Sequence, residues 1–292
     1  MAVEGAGDAD VDCGVTACVA LTFDDGPDAA TTGRLLDTLA HLGVHATFFP
    51  IGSHVVEQPG LVRREAEDGH VVGAHTWDHA DLTGLSAAAV RRELESTATA
   101  VRDATGHDPV LVRPPYGDWN DTVREEAGRQ HAVIVVWNID SQDWESRDTR
   151  AVVDRVLSTV KRGSIVLMHD IYPTTVDAVP EVVEGLRERG LTPVTVPTLL
   201  GGRSVRAGST TPSTTWSVRA APSRRPSEAT TRRRPHRAVP TRGRWRPRRG
   251  AAWSGRAPAP AWCSPPGPPG IAPGHPGTPP RVTGGCLSRW VW

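Results

Sequence analysis

Residues 18–51 read CVALTFDDGPDAATTGRLLDTLAHLGVHATFFPI and contain one complete strand–helix–strand pattern. An apolar, β-branched run at residues 19–23 is followed by a helical pattern near residues 31–41 and a second apolar run at residues 46–51. Strands joined in this way pair in parallel, because parallel neighbours need a long return connection, usually a helix. This stretch therefore predicts an α/β fold.

The same unit recurs along the chain to about residue 200. Further strands are predicted at residues 71–73, 109–112, 132–137, 164–168 and 193–196, with helices near 55–68, 86–105, 120–128, 149–160 and 176–189. About seven parallel strands fit either an open doubly wound sheet or a distorted, incomplete (β/α) barrel. No GxGxxG or GxxxxGK[ST] motif is present, which argues against a nucleotide-binding sheet. A barrel predicts reactive side chains just after the C-terminal ends of several strands.

The two parts of the chain differ in composition and charge. Residues 1–200 carry 32 acidic and 16 basic residues, whereas residues 201–292 carry one acidic and 17 basic residues and 16 of the 26 prolines. The later part has few aliphatic clusters, so it cannot bury enough apolar surface to offset the entropy of ordering. We expect an N-terminal extension at residues 1–16, a folded domain at residues 17–201 and a disordered Arg/Pro-rich tail at residues 202–292.

Three interpretations of residues 202–292 stay open. Richness in Arg, Pro, Gly, Ala and Trp with almost no lysine is what a GC-rich coding region yields in a wrong frame, and we favour this interpretation. An unselected linker is the second. In the third, arginine runs interspersed with Trp216, Trp245 and Trp253 bind nucleic acid or an anionic polymer by phosphate pairing and stacking. No nucleic-acid partner is expected.

Polar motifs follow the predicted ends of five strands: TFDDGP at 22–27, HTWDH at 75–79, RPPYG at 113–117, DSQDW at 140–144 and LMHD at 167–170. Asp-Gly-Pro alone is more often a turn, and a single histidine is usually structural. Two adjacent carboxylates are costly unless a cation or proton relieves them, and histidines at i and i+4 share one face if their segment is helical. Asp25, His75 and His79 therefore form a candidate metal site with positions left for water and substrate.

The later motifs add groups for acid–base chemistry. Arg113 would pair with a site carboxylate, although a surface arginine is the ordinary interpretation. His169 ends a buried apolar strand and would be oriented by a carboxylate from a neighbouring loop. The remaining histidines considered are expected to lie away from the site, most of them in solvent: His41, His45, His54, His70, His107 and His131.

Taken together, the five motifs resemble those of the polysaccharide deacetylases of carbohydrate esterase family 4, in order and approximate spacing, over about residues 17–200. Residues 46–49 (ATFF) with Gly52 also look like the second strand of that family. The resemblance implies a distorted barrel of about seven strands. It also implies a divalent metal, usually zinc, on the three candidate ligands.

Roles for the other residues follow from the same resemblance. Asp24 would be the general base, paired with Arg113, and His169 the general acid, held by Asp143. The backbone N–H of Tyr116 would hold the oxyanion, while Trp144 and Leu167 would form the pocket for the acetyl methyl group. A metal oxygenase needs no arginine-paired second carboxylate, and no GxSxG motif supports a serine hydrolase.

The implied substrate is an N-acetylglucosamine-containing glycan such as peptidoglycan or a chitin oligomer. An acetylxylan esterase and a non-catalytic carbohydrate-binding relative are the alternatives, and a monomer is expected. Members of the family act mostly outside the cell, but no export signal or membrane span is visible, and a start assigned downstream of the true one would account for this. Cys13 and Cys18 either close a small loop in an oxidising compartment or stay free thiols.

Overall fold

The computed structural model describes residue 8 and residues 10–201. The described strands are β1 Cys18–Asp24, β2 Thr47–Phe49, β3 Val71–Val72, β4 Leu111–Val112, β5 Val133–Ile134, β6 Ile139–Asp140, β7 Ile165–His169 and β8 Thr192–Val194. The described helices are α1 Thr32–Leu42, α2 Gly52–Glu57, α3 Pro59–Glu67, α4 Ala87–Thr105, α5 Asp121–Arg129, α6 Asp143–Ser146, α7 Thr149–Thr159, α8 Pro173–Glu188 and α9 Val196–Leu199. The predictions for residues 202–292 lie outside this range.

All described strand pairs are parallel, and β1 is the central strand. The order in the larger sheet is β3–β2–β1–β7–β6, with β8 also paired to the first residues of β1. Strands β4 and β5 form a second sheet, and a parallel bridge between Ala74 and Val112 links it to the region after β3. The strands therefore follow one another around a curved, incompletely closed surface, and the predicted α/β barrel is confirmed.

The predicted strand at residues 132–137 is wrong in its extent. Val133–Ile134 pairs with β4, whereas Ile139–Asp140 pairs with β7 in the other sheet. The two segments belong to different sheets, so the chain leaves the β4–β5 sheet after β5 and enters the larger sheet at β6, beyond the predicted residues. The described part of the chain consequently has one strand more than the seven expected.

Side chains along β1 alternate between an apolar face, which packs in the core, and a face that carries the polar residues of the site. Val19, Leu21 and Phe23 are buried in a cluster that includes side chains of α1, α7 and α8. The intervening Thr22 and Asp24 are buried too, but on the opposite face of the strand. Because a strand presents successive side chains to opposite faces, the apolar residues secure β1 while the polar ones enter the site.

Local signals account for most helix boundaries. Helix α1 ends at Gly43, which adopts the left-handed conformation (φ 61°), and α4 begins after Ser86, whose hydroxyl accepts a hydrogen bond from the Ala89 N–H. The single helix predicted near residues 55–68 is two helices, because α3 restarts at Pro59. No helix in the described part of the chain has the length and apolar character required to cross a membrane.

The chain before β1 also contacts the domain. The side chain of Asp8 accepts a hydrogen bond from the backbone N–H of Thr195 and contacts Nδ1 of His45 at 2.9 Å. A disulfide joins Cys13 to Cys18 at the start of β1. Of the two alternatives for these cysteines, the structure has the bonded pair.

Candidate active site

The candidate site lies where the C-terminal ends of several strands meet. Asp24 and His169 are register partners at the ends of the paired strands β1 and β7. Arg113 follows β4, and His75 follows β3. Parallel pairing thus brings together side chains from segments as far apart in sequence as Asp24 and His169.

Asp25, His75 and His79 converge on one point. Their candidate ligand atoms all lie within 4.8 Å of one another. Asp25 Oδ1 is 3.4 Å from His75 Nε2 and 3.6 Å from His79 Nε2. This oxygen is buried and has no hydrogen-bond partner among the described residues.

The protonation state of His75 suits a metal ligand. Its Nδ1 lies 2.6 Å from the carbonyl oxygen of Arg113, so Nδ1 carries the proton and Nε2 presents its lone pair to Asp25. Burial, the dominant influence, lowers the pKa of His75 to about 3 and keeps the ring neutral. Two imidazoles and a carboxylate oxygen without a partner fit a divalent metal such as zinc.

The segment that carries both histidines is a loop, so the helical geometry considered for residues 75–79 is wrong. Thr76 and His79 have φ of 64° and 63°, which no regular helix allows. The loop is held from outside: the Gly52 N–H donates to the Thr76 carbonyl, and the Trp77 N–H donates to Glu93 Oε2 at 2.9 Å. Its two imidazole rings still meet edge to face, with centroids 5.0 Å apart.

Asp24 and Arg113 form a buried ion pair beside this cluster. Arg113 Nη1 donates to Asp24 Oδ1 at 2.7 Å and to Thr22 Oγ1 at 2.8 Å, while its guanidinium stacks on the Phe49 ring at 4.2 Å. Burial raises the pKa of Asp24, and the charge of Arg113 only partly offsets this effect. The second carboxylate oxygen, Oδ2, lies 3.8 Å from His75 Nε2, at the edge of the candidate metal site.

His169 and Asp143 form a second acid–base pair. His169 Nδ1 lies 2.8 Å from Asp143 Oδ1, and Asp143 Oδ2 accepts from the His169 backbone N–H and the Thr175 hydroxyl. Burial opposes charge on His169, but the hydrogen bond and charge of Asp143 outweigh it and raise the pKa of His169 to about 9. Its Nε2 is directed at the cluster, 3.9 Å from Asp25 Oδ2.

Three further predicted residues surround these pairs. Tyr116 lies in a turn with φ of 62°, and its half-exposed ring contacts His79 edge to face at 4.9 Å. Leu167 is buried on β7, two residues before His169, and Trp144 is partly exposed on α6 directly after Asp143. Their roles in holding the oxyanion and the acetyl group stay predictions.

Two residues that the sequence interpretation missed contact the Asp25 turn. His54 was expected away from the site, but its Nδ1 lies 2.8 Å from the Asp25 carbonyl oxygen and donates to it. Asp170 is buried against Gly26 and accepts a hydrogen bond from the Thr32 hydroxyl, and burial raises its pKa to about 7. Sequence reasoning could have found both, because reactive side chains are expected just after the ends of barrel strands. Asp170 directly follows β7, and His54 lies in α2, the helix after β2.

His70 corrects the expectation of solvated histidines. Its ring is buried, its Nδ1 accepts from the Ala46 N–H at 3.1 Å, and it contacts the Phe48 ring edge to face. Burial, the largest influence, lowers the pKa of His70 to about 4. This histidine, which lies between α3 and β3 in the chain, therefore packs against β2 as a neutral ring.

Comparisons with known proteins identify the family of the chain. The family model for polysaccharide deacetylase matches residues 13–134. The chitooligosaccharide deacetylase of Rhizobium leguminosarum bv. trifolii is 39% identical over 180 residues, which are 62% of this chain and 81% of the relative. The solved structure of the T48 deacetylase with substrate superimposes with a TM-score of 0.64 at 40% identity, covering 68% of this chain and 100% of that one. The chain belongs to the polysaccharide deacetylase family.

A second relative is longer. The peptidoglycan-N-acetylglucosamine deacetylase PgdA of Listeria monocytogenes is 45% identical over 183 residues, which are 63% of this chain and 39% of the relative. The chain thus spans about two fifths of the length of this relative. The resemblance inferred from the five motifs is confirmed at the level of the family.

Proposed function

We propose that the protein is a metal-dependent deacetylase that hydrolyses the N-acetyl groups of N-acetylglucosamine-containing glycans, either peptidoglycan or chitin oligomers. One observation carries the proposal. The cluster of Asp25, His75 and His79 includes a buried carboxylate oxygen without a hydrogen-bond partner among the described residues, and it lies within 4 Å of both Asp24 and His169. A candidate metal site between a base and an acid is suited to hydrolysis.

Asp25, His75 and His79 are the residues that would hold the metal, with zinc the expected ion. When bound, a divalent metal makes a neighbouring water more acidic and polarises the substrate carbonyl. The hydrogen bond from His75 Nδ1 to the Arg113 carbonyl fixes the ring with Nε2 turned inward. The Asp25 carbonyl is fixed in the same way by His54.

Asp24 is the proposed general base. Arg113 holds one of its oxygens, so the other is left to accept a proton from the attacking water. Its raised pKa makes this carboxylate a stronger base than an ordinary aspartate. Arg113 also keeps the carboxylate oriented, since two further hydrogen bonds, to the Val135 carbonyl and the Thr22 hydroxyl, anchor the guanidinium itself.

His169 is the proposed general acid. With a pKa raised to about 9 it is protonated at neutral pH, and its Nε2 faces the centre. An amine is a poor leaving group unless it is protonated, whereas an alcohol released from an ester depends less on such an acid. The charged His169 therefore favours an amide substrate over an acetyl ester.

The proposed roles of the surrounding residues are orientation and exclusion of water. The backbone N–H of Tyr116 would stabilise the oxyanion, with its positive φ setting the direction of the peptide group. Trp144 and Leu167 would accommodate the acetyl methyl group. These roles are supported by their positions next to Asp143 and His169 along α6 and β7.

The test uses the 292-residue chain loaded with zinc, and it measures acetate released from chitin oligomers, peptidoglycan and acetylated xylan. We expect metal-dependent release from an N-acetylated glycan and a fall in kcat of about 10²- to 10⁴-fold in Asp24→Asn and His169→Ala. Asp177→Asn, an exposed carboxylate paired with Arg34, is the control. A folded, zinc-loaded chain that releases no acetate from any of the three would reject the proposal in favour of a carbohydrate-binding role.

We propose that the protein works in an oxidising compartment, outside the cell or at the cell wall. The disulfide between Cys13 and Cys18 supports this, because such bonds persist where thiols are not kept reduced. The measurement is thiol labelling of protein isolated from its native cells under acid quench. Free thiols at both positions would contradict the proposed compartment.

A further inference from the structure

The short helix α6 is bounded by two strained residues. Gln142 precedes it with φ of 53°, and Arg147 follows it with φ of 48°. Glycine or asparagine normally occupies a left-handed position at a helix end, since a Cβ is unfavourable there. Arg147 adopts this conformation nonetheless, and the turn sets the direction in which its side chain leaves the backbone.

The Arg147 side chain is held in a defined place at the rim of the site. Its Nε donates to the Trp144 carbonyl at 2.9 Å, and its guanidinium lies over the Tyr172 ring, 3.4 Å from the centroid. The Tyr172 ring in turn is 5.7 Å from the His169 ring. A chain of contacts therefore joins Arg147 to the proposed acid, while Arg147 itself remains exposed.

The charge of Arg147 has no anionic partner among the described residues. Arg150, three residues later, differs in this respect because it pairs with Asp154 and Glu181. The first 200 residues hold twice as many acidic as basic residues, whereas within the site Asp24 and Asp143 are paired with Arg113 and His169. A fixed cation at the rim would attract an anionic glycan to this otherwise acidic surface.

From this geometry we infer that Arg147, stacked on Tyr172, binds a carboxylate on the sugar next to the residue being deacetylated. A planar guanidinium held along one side can still bind a carboxylate through its free N–H groups. In peptidoglycan every second sugar carries a lactyl group, whose carboxylate is free where the stem peptide has been removed, whereas chitin has no acidic group. The inference rests on the proposed function and narrows its substrate to a peptidoglycan-type glycan with free lactyl carboxylates.

The test compares three tetrasaccharides on the zinc-loaded 292-residue chain: alternating N-acetylglucosamine and N-acetylmuramic acid with free carboxylates, its methyl ester, and chitotetraose. We expect Arg147→Gln to raise KM for the free-carboxylate substrate about tenfold, the order expected for a hydrogen bond to a charged group. The values for the ester and for chitotetraose should stay unchanged. Arg147→Lys should restore part of the loss, and Arg150→Gln is the control on the same surface.

Two outcomes would overturn the inference. Equal losses on all three substrates would limit Arg147 to supporting Tyr172 and His169, and unchanged KM on all three would remove any role in binding. If the chain deacetylates nothing, the proposed function fails separately, and calorimetric binding of the free acid against its ester still tests the carboxylate site. Tighter binding of the free acid than of its ester, lost in Arg147→Gln, would support the carboxylate site. Equal binding of the acid and the ester would reject this site.

Discussion

Asp25 depends on a residue outside the proposed ligand set. Its φ of 74° is unfavourable for a residue with a side chain, and the hydrogen bond from His54 Nδ1 to its carbonyl helps to hold this conformation. Residues that orient metal ligands typically affect metal affinity 10- to 100-fold when removed. His54 therefore helps to position Asp25, although it is not expected to contact the metal.

We predict that His54→Ala weakens zinc binding about tenfold, with the free energy of unfolding of the metal-free protein changed little. Isothermal titration calorimetry of the metal-free chain measures this. His54→Asn retains a donor and should recover part of the affinity, while His107→Ala is the exposed control. Unchanged affinity in His54→Ala would show that the turn holds its conformation without the imidazole.

Asp143 provides a second test at the scale of single residues. Asp143→Asn keeps the shape of the side chain but removes the charge that favours protonated His169. We expect kcat on an N-acetylated oligomer to fall about 10²-fold or more, with KM little changed, because the acid acts in the reaction step. Steady-state kinetics measures both constants, with Asp154→Asn, at an exposed carboxylate on α7, as the control. A rise in KM with unchanged kcat would contradict the role of Asp143 in catalysis.

At the scale of elements, the end of β3 is packed too closely for a side chain at Gly73. A Cβ there would lie 2.7 Å from the Phe49 ring and 3.0 Å from the Leu111 carbonyl oxygen. Phe49 carries the stacked guanidinium of Arg113, so a shift of this ring would also disturb the Asp24 pair. Packing around β3 and the geometry of the site are thus coupled.

We predict that Gly73→Ala lowers the free energy of unfolding by about 1–3 kcal/mol, the usual cost of overpacking, and reduces kcat as well. Urea denaturation and acetate release measure the two effects. Gly128→Ala is the matched control, because its Cβ meets nothing within 4 Å inside α5 and should stabilise the protein slightly. Similar stability of both variants would contradict the close packing.

The junction of α3 and β3 should make stability depend on pH through His70. Its pKa is lowered to about 4 in the folded protein from the ordinary 6.5, mainly by burial. The unfolded chain therefore binds more protons between these values, so this contribution is complete above pH 6.5 and is lost as pH falls toward 4. The shift corresponds to about 3 kcal/mol over that interval.

We predict that His70→Asn, which retains an acceptor for the Ala46 N–H, flattens the loss of stability between pH 6.5 and 4. The variant should be less stable than the parent at pH 7, since it lacks the ring packed on Phe48. Urea unfolding at several pH values gives the comparison, with His107→Asn as control. Parallel pH curves for parent and His70→Asn would show that His70 is not the responsible group.

At the scale of the whole molecule, we propose that residues 17–201 form the deacetylase domain and that the described structure contains its complete core. The described apolar clusters and every candidate site residue lie before residue 201. Asp8 also contacts β8 and the chain before β2, so a shortened protein should keep its N-terminus.

We predict that a chain ending at Gly201 keeps the melting temperature and the acetate-releasing activity of the 292-residue chain. The physical reason is that no described core or site residue is removed. Thermal unfolding and kinetics on the same oligomer test it. Loss of activity with an intact fold would favour the interpretation of residues 202–292 as a binding segment over the other two.

Much of the site was predictable because each candidate residue follows a strand. Asp24, Arg113 and His169 could be assigned to one centre from sequence, since parallel strands all end at the same edge. The helices with clear caps, such as α1 before Gly43, were predictable within a residue or two for the same local reason. The early end of β5 at Ile134 and the separate strand β6 were not, because they depend on which sheet each segment joins.

The sequence by itself determined the α/β class, the family and the residue types of the candidate site, because strand–helix alternation and motif order are properties of the chain. Only the tertiary structure decided the loop conformation of residues 75–79, the contact of His54 with Asp25 and the stacking of Arg147 on Tyr172. Each of these depends on contacts between segments distant in sequence or on backbone angles that local propensity disfavours. Local patterns record which groups are present, but packing determines which atoms face one another.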